Sequence, residues 1–190
     1  MDLRERKRVA TMRRVQAVAM DLFEARGFAD VRVEEIAAAA EVGPATVYRH
    51  FATKEGIVLW DELESRLLPS VRSRLPAEAP LVAVRNALLA ELDRLPRSEA
   101  GAMLRRARLV ARVPELKAAS RSDSAELCIH LADCLVKAGS ASDALDAAVI
   151  AGTIVATIEA GADEWVRGGG KLTPASAMER AFSTLERHFS

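Results

Sequence analysis

Apolar side chains recur along this chain at intervals of three and four residues, which predicts helices from one end to the other. Val15, Val18, Ala19, Leu22 and Phe23 form one such stripe in a first helix from about Lys7 to Arg26. Gly27 is placed to end it, since glycine accepts the left-handed conformation that follows a helix terminus. Short helices are expected from Val33 to Ala40 and from Pro44 to Phe51, and Thr53 reads as the N-cap of a long helix to about Arg74. Pro76 and Pro80 bracket the next break. Pro80 suits the first turn of a helix to about Leu95, and Pro96 stops it. Ser98 can cap a helix to about Arg112. After Pro114 a helical pattern runs from Glu115 to Ala138, with room for an interruption at Ser120–Ser124. Gly139 closes that segment, Ser142 caps a long helix to about Arg167, and Gly168-Gly169-Gly170 make a turn. Thr173 and Pro174 open a last helix to the C-terminus. The reading is an all-α chain of about nine helices without a convincing strand.

Composition agrees with helix over strand: Ala, Leu, Arg and Glu abound, whereas aromatics make up 4%. Half of the 190 residues are apolar, enough to bury a sizeable core. Formal net charge is zero, so the molecule as a whole is not a polycation. The first 14 residues differ. Six cations there (Arg4, Arg6, Lys7, Arg8, Arg13 and Arg14) oppose Asp2 and Glu5, an excess of four. Such a segment can neutralise phosphates, although charge alone is better described by a solvated, frayed terminus.

The segments from residue 19 to 58 have the size and tight turns of a helix-turn-helix. Ile36, Val42, Val47 and Phe51 fall where the second and third helices must pack on the first. Val47 and Phe51 lie four apart on one helical face, which leaves Pro44, Ala45, Thr46, Arg49 and His50 on the other. A short helix entering a major groove by its N-terminus brings its positive dipole end towards DNA. Thr46 can then offer a hydroxyl or methyl to a base edge and Arg49 a bidentate contact to guanine, whereas Pro44 and Ala45 have only apolar contacts to give.

Taken together, Ala19-Met-Asp-Leu-Phe23, Gly27-Phe28, Val33-Glu-Glu-Ile36-Ala37, Val42-Gly43-Pro44-Ala45-Thr46-Val47-Tyr48-Arg49-His50-Phe51 and Thr53-Lys54-Glu55 resemble the DNA-binding domain of the TetR family of bacterial regulators. The resemblance is close over roughly the first 60 residues. It implies a helix-turn-helix domain over 1–53, a helical ligand-binding and dimerisation domain over 54–190, and phosphate contacts from Tyr48, His50 and Lys54. Two positions depart from the family pattern. Arg32 stands where a capping threonine is usual, which loses that cap and sets a guanidinium beside the expected phosphate path; Gly43 replaces a capping serine. The implied partners are double-stranded operator DNA, a second copy through the last two helices, and a small-molecule effector. The implied function is a repressor released from a palindromic operator. The alternative is a nucleoid-associated or adaptor protein of the same fold without an effector response.

In the C-terminal part, Ala147, Ala148, Ala151, Gly152, Ala156, Ala160 and Gly161 let helix backbones approach closely, in the protomer or across a dimer. Arg105, Arg108 and Arg112 are spaced for one helical face and suit a carboxylate or phosphate. The alternative is a solvated basic face paired with Glu99, Glu115 or Glu126. With Leu109, Pro114 and Leu116 this segment is also similar to an actinobacterial TetR subgroup represented by mycofactocin-system regulators, which implies an acyl-CoA-type effector. Glu91, Thr153, Thr157, Glu159 and Trp165 could line a cavity or merely support the bundle, and Trp60 could equally pack between the two domains.

Other chemistry is disfavoured. Cys128, His130 and Cys134 supply too few ligands for a closed zinc site, and the two cysteines, about 9 Å apart along a helix axis, read as core residues. No catalytic residue, metal site or cofactor is expected, since the glycine triplet joins two helices and no nucleophile has a base and orienting group. The longest uncharged apolar run, residues 147–158, is shorter than the roughly 18 residues of a membrane span. A cytoplasmic, membrane-free protein is the expectation.

Overall fold

The computed structural model describes residues 3–189. Among them are ten helices and no strand. The chain divides into two compact units, one holding residues up to Trp60 together with Leu109–Ala119, the other Asp61–Arg108 and the residues from Ser120 onward.

In the first unit α1 (Leu3–Arg26) presents Met12, Val15, Ala19 and Phe23 to a core shared with Ile36, Val47, Phe51, Ile57 and Leu116. Gly27, at φ +92°, ends α1 by donating to the Phe23 carbonyl, and Phe28 folds back so that its ring lies 4.9 Å from Phe23. At the start of α2 (Val33–Ala39) Arg32 cannot accept an amide as a threonine would. The reciprocal half of a capping box is present instead: the Arg32 amide donates to Glu35 Oε2 at 2.8 Å, and Arg26 holds the other Glu35 oxygen at 2.7 Å. The turn into α3 (Pro44–Phe51) puts Glu41 at φ +53°, a region that disfavours any residue with a Cβ. Trp60 packs edge-on against Phe51, 6.1 Å between ring centres, in this unit's own core.

The expected long fourth helix is two helices, α4 (Lys54–Leu59) and α5 (Glu62–Arg74). Thr53 caps α4 as expected, taking the Gly56 amide at 3.0 Å. The break at Trp60 has two causes. Gln16 of α1, itself buried, donates Nε2 to the Ile57 and Trp60 carbonyls at 2.8 Å each, satisfying the end of α4. Asp61 then starts α5 as its N-cap, accepting the Leu63 amide at 2.8 Å.

The second unit contains α5, α6 (Pro80–Asp93), most of α7 (Arg97–Arg112), the larger part of α8 (Pro114–Lys137), α9 (Ala144–Arg167) and α10 (Pro174–Phe189). Helix α8 runs through Ser120–Ser124 without the interruption those serines permitted, and Asp143 rather than Ser142 caps α9, taking the Asp146 amide. Val71, Ala87, Leu135, Ala151, Ile154 and Phe182 meet in the core. Arg85 ties α6 to α10 through Glu179 at 2.6 Å and Glu186 at 3.0 Å.

Candidate nucleic-acid interface

Helix α3 is held from one side only. Val47 and Phe51 are buried, and Val42 packs partly buried beside them. Pro44, Ala45, Tyr48 and Arg49 are exposed, and Thr46 and His50 are half-buried at the rim. One edge of an eight-residue helix thus offers a methyl, a hydroxyl, a phenol, a guanidinium and an imidazole together. Arg49 reaches towards Thr46 Oγ1 at 3.4 Å, so the two residues suited to base edges are neighbours. The Tyr48 hydroxyl stands 3.4 Å from Glu34 of α2 with its ring half exposed. Arg32 is exposed at the start of α2. Partial burial, then Arg49, then Arg8 of α1 hold the His50 imidazolium below the usual histidine range.

Lys54 has an occupation that local sequence does not reveal. Its ammonium donates to the carbonyls of Phe28 at 2.8 Å, Val31 at 3.1 Å and Ala29 at 3.4 Å, and sits 4.4 Å from the Phe28 ring centre. The cation closes the turn between α1 and α2, whose carbonyls lack helical partners.

The other candidates separate. Glu91 is buried, with Arg94 at 2.6 Å and Arg66 at 3.3 Å on its carboxylate. Arg108 donates to the Gly169 carbonyl at 3.1 Å, and its half-buried neighbour Arg106 pairs with Asp61 at 3.0 Å. Arg105 lies in the same unit, whereas Arg112 falls in the first. Thr153 and Thr157 bond back to the carbonyls four residues earlier and line an open groove of about 1260 Å³ along α9 and α10 with Val149, Ala156, Ala160 and Ala181.

The small residues of α9 serve two faces. Ala147, Ala151 and Gly161 are buried inside the protomer, and a Cβ on Gly161 would stand 3.0 Å from Met178 Sδ. Leu145, Ala148, Val149, Ala156 and Ala160 are exposed along one outward stripe. By length and composition alone α9 passes for a membrane span, as core helices also do, and Ala147, Ala151, Ile154, Val155 and Trp165 on it are buried inside the protomer. Cys134 is buried and Cys128 packs partly buried on the second unit's core. Among the described residues no group of three or more His, Cys, Asp or Glu is placed to hold a metal.

This geometry has relatives. Residues 16–59 match the model for bacterial regulatory proteins of the tetR family, and residues 78–190 match the MftR C-terminal domain. The HTH-type transcriptional regulator TcmR of Streptomyces glaucescens is 37% identical over 123 residues, 61% of this chain and 54% of that protein. MftR of Mycobacterium tuberculosis, named for mycofactocin biosynthesis regulation, is 35% identical over 121 residues, 60% of this chain and 59% of that one. The chain thus spans less than two thirds of the length of these curated relatives. Two solved structures share the fold: NalD of Pseudomonas aeruginosa, secondary repressor of the MexAB-OprM efflux pump (TM-score 0.58, 17% identity, 94% of each chain), and Thermus thermophilus FadR with lauroyl-CoA (TM-score 0.55, 21% identity, 94% of this chain and 95% of that one). The chain belongs to the TetR family of bacterial regulatory proteins, with a C-terminal domain of the MftR type.

Proposed function

We propose that the chain is a DNA-binding transcriptional repressor that leaves a palindromic operator when a small-molecule effector binds, working as a cytoplasmic homodimer without catalysis. The observation that carries this reading is the one-sided packing of α3, which buries Val47 and Phe51 and leaves Thr46, Tyr48 and Arg49 outward. Thr46 and Arg49 read base edges, Pro44 and Ala45 give apolar contacts, and Tyr48, His50 and Arg32 hold phosphates and set register. A phosphate contact from Lys54 would share an ammonium already placed on three carbonyls.

The outward stripe of α9 and the groove beside α10 fit a second copy of the same pair, an isologous four-helix contact. We assign Thr153 and Thr157 to that face. The effector region is then built around buried Glu91, with Arg105 and Arg108 in the same unit. An effector acts only through its preference for the spacing of recognition helices that DNA does not accept. Acyl-CoA thioesters, the class the subgroup resemblance implies, are the first compounds to test.

The experiment is selection of random duplex DNA on the purified protein, beside Thr46→Ala and Arg49→Ala. Enrichment of one palindrome, with base preference relaxed at single positions in the variants, is expected. Enrichment of nothing by a folded dimer would refute the regulator reading and leave the adaptor alternative.

A further inference from the structure

The chain passes between its two compact units at Trp60–Asp61, at Arg108–Leu109 and at Ala119–Ser120. The last two passages lie inside α7 and α8, which run on unbroken, and neither holds the proline or glycine that usually kinks a helix. The first passage differs. Trp60 (φ −54°, ψ 124°) and Asp61 (φ −136°, ψ 134°) lie outside both α4 and α5 with extended torsions. Among the described residues, α7 has none fully buried, and on α8 none is buried between Leu116 and Leu131. Leu116 itself, at 0% exposure, belongs to the first unit's core. The corner between α7 and α8 is therefore anchored in the first unit, whereas the helices leading away from it hold no buried anchor for several turns.

Each side of the Trp60–Asp61 peptide is gripped from within its own unit. In the first unit Gln16 of α1, 7% exposed, donates Nε2 to the Ile57 and Trp60 carbonyls at 2.8 Å each. The Trp60 ring lies 6.1 Å from that of Phe51, a residue that buries α3, so this end of the peptide is fixed to the recognition helix. Gln16 sits among Met12, Val15, Ala19, Met20 and Phe23 on the buried side of α1. A buried amide is costly there unless its hydrogen bonds are made, and these bonds hold the end of α4. In the second unit both Asp61 carboxylate oxygens are engaged. One caps α5 through the Leu63 amide at 2.8 Å, and the other takes Arg106 of α7 at 3.0 Å.

We infer that the Trp60–Asp61 peptide is a hinge, and that Gln16 and Arg106 are positioning residues that hold it at one angle and so set the half-site spacing a dimer accepts. The α7–α8 corner travels with the first unit, and the change of angle falls on the one passage outside a helix. The inference rests on the operator-binding dimer proposed above. Neither residue touches DNA: Gln16 acts through the Trp60 carbonyl and Arg106 through the Asp61 carboxylate.

The test uses the full chain with Gln16→Met and Arg106→Met, which keep an unbranched stem and remove the donor while Asp61 still caps α5. Arg74→Gln is the control, since it breaks an ion pair to Glu78 of 3.0 Å at the far end of α5. Each protein is titrated with the selected palindrome and with the same half-sites set one base pair further apart. The ratio of the two affinities is the readout. One hydrogen bond's restraint is worth up to roughly tenfold in an equilibrium, so each variant should narrow the parent's ratio by about that factor. Arg74→Gln should leave it unchanged. A ratio equal to the parent's in both variants would overturn the inference, as would an equal narrowing in Arg74→Gln. Should Gln16→Met not fold, Arg106→Met decides alone. If the parent selects no palindrome, the regulator reading fails separately, and chymotrypsin cleavage after Trp60 in the free protein decides the hinge. Cleavage up to roughly tenfold faster in the variants than in the parent and the control supports it, and equal rates overturn it.

Discussion

Replacing Lys54 by methionine keeps the aliphatic stem and deletes only the ammonium, which isolates the contacts that close the α1–α2 turn. The Phe28 and Val31 carbonyls, at 2.8 and 3.1 Å, would lose their charged donor where the side chain is half-buried, and the bond to Ala29 at 3.4 Å is too long to add much. A hydrogen bond to a charged group is worth about 1.5–3 kcal/mol, and partial exposure argues for about 1 kcal/mol from each short one. The ammonium over the Phe28 ring, 4.4 Å from its centre, adds about 0.5 kcal/mol. The variant should therefore lose about 2–3 kcal/mol without DNA, roughly a 5–10 °C fall in Tm for a chain of this size. Thermal melts of the free protein by circular dichroism measure it, with Lys54→Arg as the variant that keeps a cation. A Tm within 1 °C of the parent, together with a salt slope of DNA binding reduced by one contact, would refute the reasoning: the ammonium would then serve phosphate and not the turn.

Glu41→Gly should stabilise the free protein by about 0.5–1 kcal/mol in urea unfolding, because φ +53° strains a residue with a Cβ and not glycine. Ala156→Glu places a charge on the outward stripe of α9 without touching the protomer's core, so sedimentation should show helical monomers; an unchanged dimer would remove this face from the interface. For His50 the folded pKa lies below the unfolded value of about 6.5, so the unfolded chain binds more protons and stability falls as pH drops through that value. A phosphate beside the imidazole reverses the sign for binding. Operator affinity should rise as pH falls through the range where the imidazole beside the phosphate takes up its proton, and His50→Gln should flatten both profiles in melts and fluorescence-anisotropy titrations.

Periodicity and punctuation made nearly every helix legible, and the same four-residue spacing separated the buried Val47 and Phe51 from the outward edge of α3. What escaped shares one physical cause: a local pattern cannot name a partner far along the chain. The break between α4 and α5 depends on Gln16, 41 residues before one of the carbonyls it satisfies, and without that donor Asp61 reads as an ordinary polar position inside a long helix. The bonds by which Lys54 closes the α1–α2 turn escaped because their acceptors lie 23 to 26 residues earlier in a turn whose shape the sequence does not display. Helix α9 poses the complementary difficulty. Its alanines and glycines are small on every side, so spacing does not show that Gly161 serves close approach to Met178 whereas Ala156 and Ala160 face outward. Side-chain size carries directional information only when the opposite faces of a helix differ. Helix α3 meets that condition and α9 does not, which is why the outward edge of α3 could be read from residues alone and the outward stripe of α9 required the packed protomer.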